Sequence, residues 1–200
     1  MRCDCELEAK NGEERRVLVT LLLINAGMFV LEMAFGIFAQ STALIADALD
    51  MLADAAVYGI GLYAVGRAIR HKVRAARVSG VLQMLLGLGV LFEVIRRFVT
   101  GSAPEPQIMI GIGVLALIAN SVCLALIAKH RDGEIHMRAS WIFSRNDVLA
   151  NLGVVIAGVL VAALDSYLPD LIVGGVIAAI VVSGGIRIIR EAKHELATNG

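Results

Sequence analysis

Apolar residues run along this chain in blocks of about 18 to 24, each closed by charges, glycine or proline. Such a block is what an α-helix needs to cross a hydrocarbon core of roughly 30 Å at about 1.5 Å per residue. Backbone polar groups in lipid must pair within their own segment, so long continuous apolar runs imply helices. The period-two alternation of an outer-membrane barrel strand is not apparent. The pattern predicts spans near 17–39, 43–66, 78–95, 107–128, 141–163 and 170–188, and so an all-α membrane protein with six transmembrane helices. Only Gln40 to Thr42 separate the first two spans, which makes them a helical hairpin. Ser102, Ala103, Pro104, Glu105 and Pro106 break the chain between spans three and four, and Pro169 opens span six. Gln83 and Glu93 interrupt the third span.

Composition agrees: a mean hydropathy of +0.78 and 58% hydrophobic residues over 200 residues exceed what a water-soluble domain of this length tolerates. The net charge is zero, but its placement is informative. Residues 1–16 mix acids with Arg2, Lys10, Arg15 and Arg16, unlike the basic start and small-residue cleavage site of a signal peptide, so the first span is expected to be retained. Arg67, Arg70, Lys72, Arg74 and Arg77 crowd the second loop, Lys129, Arg131 and Arg138 the fourth, and Arg187, Arg190 and Lys193 follow span six. Arg96 and Arg97 fall on the opposite side, and Arg145 within span five. The positive-inside rule then places both termini in the cytoplasm. The expected organisation is a cytoplasmic tail over 1–16, a six-helix domain over 17–190 and a short tail over 191–200, with no soluble domain. Cys3, Cys5 and Cys123 are too few and scattered for a disulfide framework.

Ionisable groups cost at least about 2.5–3.5 kcal/mol at the bilayer centre, so each one needs a reason to be there. Span two carries Asp47, Asp50 and Asp54, which at separations of three, four and seven share one helical face. Three ionised carboxylates so close repel unless a cation, protons or a basic partner relieves them. Asp50 and Asp54, one turn apart, can aim their oxygens at one point. Span five offers a matching face in Asp147 and Asn151, with Asn146 beside them. If spans two and five cross, Asp50, Asp54 and Asp147 supply three oxygen donors, completed by an amide or water. Asn25 and Glu32 on span one, Glu93 on span three and Asn120 on span four add polar groups that suggest a hydrated path. The plainer reading of Asn25, Asn120 and Asn146 is interhelical hydrogen-bonding glue, and that of Glu93 an ion pair with Arg97 at the outer boundary. Arg145 is expected near the cytoplasmic entrance, snorkelling or pairing with Asp47. Cys123, Met28, Met33 and Met51 read as packing residues. Cys3 and Cys5 read either as metal capture or as part of a short disordered tail.

Together these residues resemble a known family. The run Ser41-Thr42-Ala43-Leu44-Ile45-Ala46-Asp47-Ala48-Leu49-Asp50-Met51-Leu52-Ala53-Asp54 is similar to the second-span signature of the cation diffusion facilitators. Glu32 and Gly36, Glu93 and Arg97, Asn120, Asp147 to Leu152, and Asp170 with Gly185 to Glu191 resemble that family's other spans. The resemblance covers nearly all of residues 17–193. It implies a proton-coupled antiporter that moves Zn²⁺, Cd²⁺, Co²⁺, Fe²⁺ or Mn²⁺ out of the cytoplasm across the cell membrane, as a homodimer. It also implies four ligands in two pairs on spans two and five, of which Asp50, Asp54 and Asp147 match, with Asp47 one turn earlier. The fourth position is Phe143, which cannot bind metal, so either Asn146, Ser144, Asn151 or water substitutes or the site is lower in coordination. The family's cytoplasmic metal-binding domain is expected to be missing, and so is its His-rich loop between spans four and five, where only His130 and His136 lie.

The expected metal residues are therefore Asp50, Asp54, Asp147, Asp47, Asn146 and Asn151. The expected substrates are a divalent metal ion, Zn²⁺ first, and protons, with the lipid bilayer as surroundings and no organic cofactor, nucleic acid or enzymatic reaction. An oxygen-only site suits harder ions such as Mn²⁺, whereas Zn²⁺ sites usually include His or Cys. Two alternatives remain. One is a membrane-embedded metal-dependent hydrolase, against which stands the lack of a His-Glu-x-x-His run or a credible nucleophile. The other is a non-transporting, metal-sensing subunit.

Overall fold

The structure, a computed structural model, describes residues 2–64, 69–128 and 135–199. They form six helices: α1 (Arg2–Phe38), α2 (Thr42–Ala64), α3 (Ile69–Thr100), α4 (Pro106–Ala128), α5 (Ile135–Leu164) and α6 (Leu168–Asn199). Among the described residues there is no strand. Four stretches are long and apolar enough to cross a bilayer by length and composition: Arg15–Phe38, Pro106–Ala128, Ser144–Leu164 and Leu168–Arg190. The helices overrun several predicted spans. Where sequence reading gives a tail over residues 1–16, α1 already begins at Arg2, because mixed-charge residues are good helix formers in continuity with an apolar helix. α3 likewise runs past 78–95 at both ends. The side chains of Cys3, Cys5, His130 and His136 lie outside the described residues.

α2 is the innermost element. It packs on α1, α3, α5 and α6, while α1 also meets α4, α3 lies along α6 and α4 along α5. Exposed large apolar side chains occur on the other five helices, as at Leu23, Phe92, Ile118, Leu149 and Ile172. Among the described residues α2 contributes none. This is the inverse of a water-soluble bundle: apolar surface faces outward, and α2, with its three aspartates, is shielded by its neighbours. Small residues permit the close packing that lipid-immersed helices depend on. A Cβ on Gly185 would lie 2.7 Å from the Gly80 carbonyl oxygen, and one on Gly80 would lie 2.9 Å from that of Gly185, so α3 and α6 touch backbone to backbone.

The α1–α2, α3–α4 and α5–α6 connections meet at one end. The Glu105 N–H donates to the Ala39 carbonyl at 3.0 Å, and a cavity of about 470 Å³ lies between residues 102–107 and 165–167. α3 stops at Gly101, whose φ of 83° suits a residue without a Cβ and whose N–H donates to the Arg97 carbonyl at 2.8 Å. Pro106 opens α4, where its missing N–H costs nothing.

At this end α2 is held by residues distant in sequence. Asp170, fully buried in the first turn of α6, accepts from the Ser41 hydroxyl at 2.6 Å, the Thr42 N–H at 2.8 Å and the Ala43 N–H at 3.0 Å. A carboxylate from α6 thus caps the N-terminus of α2, satisfying orphan amides and facing the positive end of the helix dipole. Arg97 of α3 donates to the Gln40 carbonyl and, at 3.1 Å, to the Thr42 hydroxyl. Its other side meets Glu93 at 2.6 Å, the ion pair expected from their spacing; Arg96 joins the same carboxylate at 2.7 Å.

Candidate metal-ion site

The packing layers set the depth of each polar residue. One layer holds Leu21, Tyr58 and Cys123, and a second holds Met28, Met51 and Ala116, so Cys123, Met28 and Met51 are packing residues. Between them, by helical position, fall Asn25 of α1, Asp54 of α2 and Asn120 of α4, all buried.

Asp54 and Asp147, 4% and 6% exposed, bring the carboxyl groups of α2 and α5 within hydrogen-bonding reach of each other. The Tyr58 hydroxyl, one turn along α2, is within reach of Asp54, and it lies 3.4 Å from the Ser144 hydroxyl of α5. One turn the other way along the same face of α2 is Asp50, within electrostatic range of Asp54 and Asp147. Asp50 is only half-buried because it opens into a cavity of about 410 Å³ between α2, α5 and α6, lined also by Asn146, Ala150, Gly153, Val173 and Ile177. Asp47, 1% exposed, sits a further turn away and accepts the Asn151 amide at 3.2 Å. The same amide donates to the Asp147 backbone carbonyl at 2.8 Å, so Asn151 fastens α2 to α5 through Asp47.

All three aspartates of α2 thus face the interior helices, and Asp147 and Asn151 of α5 meet them. Asn146 is exposed on the wall of the Asp50 cavity. The side chain of Phe143 lies outside the described residues. Arg145 is exposed, and of its two expected arrangements the pairing with Asp47 is not formed: α5 turns Asn151 toward Asp47, and the ion pairs among the described residues are those of Glu93. Among the described residues, no three His, Cys, Asp or Glu side chains converge closely enough to hold one ion. The arrangement is a pair, Asp54 with Asp147, with Asp50 alongside.

The surroundings are rich in unused polar atoms. Asp47 Oδ2, Asp54 Oδ2, Asn25 Oδ1, Asn151 Oδ1 and both side-chain heteroatoms of Asn120 are buried without a partner among the described residues. Helix-to-helix glue does not account for Asn25, whose one bond returns to Leu21 of its own helix, nor for Asn120. Buried orphans are uncommon in folded proteins. Oxygen lone pairs facing a shared interior are what a cation or a water file requires.

Residues 18–197 match the model of the cation efflux transmembrane domain. The chain belongs to the cation efflux family. That is the family its motifs resemble, and the match takes in all six helices of the bundle. A cadmium, cobalt and zinc/H(+)-K(+) antiporter of Bacillus velezensis is 23% identical over 199 residues, covering 92% of this chain and 64% of that protein. Zinc transporter ZitB of Pectobacterium atrosepticum is 27% identical over 202 residues, covering 94% of this chain and 62% of its own length. The metal cation efflux system protein CzcD of Cupriavidus metallidurans is 24% identical over 162 residues, covering 75% of this chain and 51% of its own length. The chain spans less than two thirds of these relatives. The family is one of transport proteins, which does not favour the hydrolase reading.

Sequence reasoning missed Tyr58, which sits one turn beyond Asp54 on the same face of α2, a spacing that could have flagged it; Ser144, one turn before Asp147 on α5, is among the groups expected to substitute at the Phe143 position. Nothing local marks Asp170 as the residue that sets the position of α2.

Proposed function

We propose that this chain exports divalent transition-metal ions, Zn²⁺ first, in exchange for protons, by alternating access. The observation that carries the reading is the meeting of Asp54 on α2 with Asp147 on α5 inside a lipid-facing bundle, with Asp50 beside them. Two carboxylates from different helices can stay ionised there only while a cation offsets them. They also report helix movement, because separating α2 from α5 breaks the pair. The names of the relatives support cadmium, cobalt and zinc as substrates.

Asp50, Asp54 and Asp147, deprotonated, take the ion from the cytoplasm, with Asn146, Asn151 or water completing its shell. The helices then rock, and the ion leaves on the far side. Protons entering from that side neutralise the carboxylates and return inward. Metal and proton compete because a carboxyl group must lose its proton to ligate. The unit is a homodimer of six-span chains in the cell membrane, termini in the cytoplasm, as the placement of basic residues suggests.

The test is Zn²⁺ flux in proteoliposomes of the purified chain under an imposed pH gradient. Flux should follow the gradient, reverse when it is reversed, and stop when an ionophore collapses it. Flux indifferent to the gradient, or none at all, contradicts the proposal.

A further inference from the structure

Glu32 of α1 is fully buried, and neither of its carboxyl oxygens has a hydrogen-bond partner among the described residues. Its carboxyl group lies against that of Asp47. Two acids side by side do not by themselves make a site, but a third group points the same way. Asn151, fully buried on α5, uses its amide nitrogen on Asp47 and on the Asp147 carbonyl, leaving Oδ1 unpartnered. Around Asp47, three helices carry buried oxygens without a partner among the described residues: Glu32 Oε1 and Oε2, Asp47 Oδ2 and Asn151 Oδ1. The approach of α1 to α2 depends on Gly36, one turn beyond Glu32. A Cβ there would fall 3.0 Å from Ile45 Cγ1 and 3.1 Å from its backbone nitrogen.

This spot is separate from the Asp54–Asp147 pair. Asp47 and Asp54 are seven residues apart on α2, about 10 Å along the axis at about 1.5 Å per residue, with Asp50 between them. Two carboxylates carry the charge to offset a divalent ion, and the amide oxygen adds a neutral donor of the kind hard cations accept.

We propose that Glu32, Asp47 and Asn151 form a second position for a divalent cation, toward the end where the α1–α2 turn lies, to which the ion passes from Asp54 and Asp147 by way of Asp50. The position deepens the export reading and rests on it for direction, but it can be counted independently. The outer position holds the ion after it leaves the inner pair, so the pair can be reloaded or protonated without the ion falling back.

The experiment is equilibrium dialysis of the purified full chain, in detergent at neutral pH, against Co²⁺, with bound metal counted per chain. Wild type should bind two ions, Glu32→Gln one, Asp54→Asn one and the double variant none. Glu32→Asp, which keeps the carboxylate, should restore the second ion. If wild type binds a single ion that Asp54→Asn removes and Glu32→Gln leaves in place, the second position is wrong and the export site stands. If Asp54→Asn leaves the count at two while Glu32→Gln lowers it, the second position stands and the inner assignment fails. No bound ion in wild type overturns both, and loss of both ions in Glu32→Gln that Glu32→Asp does not reverse overturns a separate position.

Discussion

Asp54 and Asp147 each keep the other in place only if something positive lies between or on them, so neutralising one should remove the attraction for a cation rather than merely weaken it. Asp54→Asn preserves shape and is expected to lower Zn²⁺ transport at least about 100-fold, about 2.7 kcal/mol at the transition state. The chain should remain folded, since an amide is less costly to bury than a carboxylate. Tyr58→Phe removes a hydroxyl within reach of both Asp54 and Ser144 but no metal ligand, so transport should persist with altered metal affinity, read as a shift in the Zn²⁺ dependence of flux. Residue-scale features were the most legible from sequence. Spacing alone put Asp47, Asp50 and Asp54 on one face and joined Glu93 to Arg97. It could not show that Asn151 reaches Asp47, 104 residues away, or that Arg145 turns outward, because those outcomes depend on how α5 rotates against α2.

Among the elements, α2 explains why hydropathy and structure diverge. Three aspartates make it a poor membrane helix by composition, yet it occupies the centre, where α1, α3, α5 and α6 take the place of lipid. Its position is set from outside itself, by Asp170 at its first turn and Arg97 on the preceding loop. No local pattern foretells this, since the cap comes from a residue 128 positions along the chain. Asp170→Ala would strip three donors of their acceptor and should cost roughly 2–3 kcal/mol, seen as a lower melting temperature in detergent. Overpacking the α3–α6 contact has a similar expected size: Gly185→Leu must push a side chain into the Gly80 carbonyl and should destabilise by about 1–3 kcal/mol or more.

For the whole molecule, the arrangement is a file of polar groups running through an apolar shell. From one end it passes Tyr58 and Ser144, then Asp54 with Asp147, then Asp50, then Asp47 with Glu32 and Asn151. It finishes at the Ser41–Asp170 cluster. The number of helices and most of their ends were readable from apolar block length and from proline and glycine placement. Which helix lies inside was not, since burial by protein and burial by lipid favour the same residues. If protons and metal compete for the same oxygens, as the proposed exchange requires, metal binding should release protons, and acidifying the loading side should slow uptake while acidifying the release side speeds it. Proton release on Zn²⁺ addition to weakly buffered, detergent-solubilised protein checks the first statement directly.

The most direct test is Zn²⁺ flux into proteoliposomes containing wild type, Asp54→Asn, Asp147→Asn or both changes together. If the two carboxylates form one ion site, each single change abolishes transport and the double change adds nothing further. Wild-type flux from either single variant would show that the ion does not pass between α2 and α5.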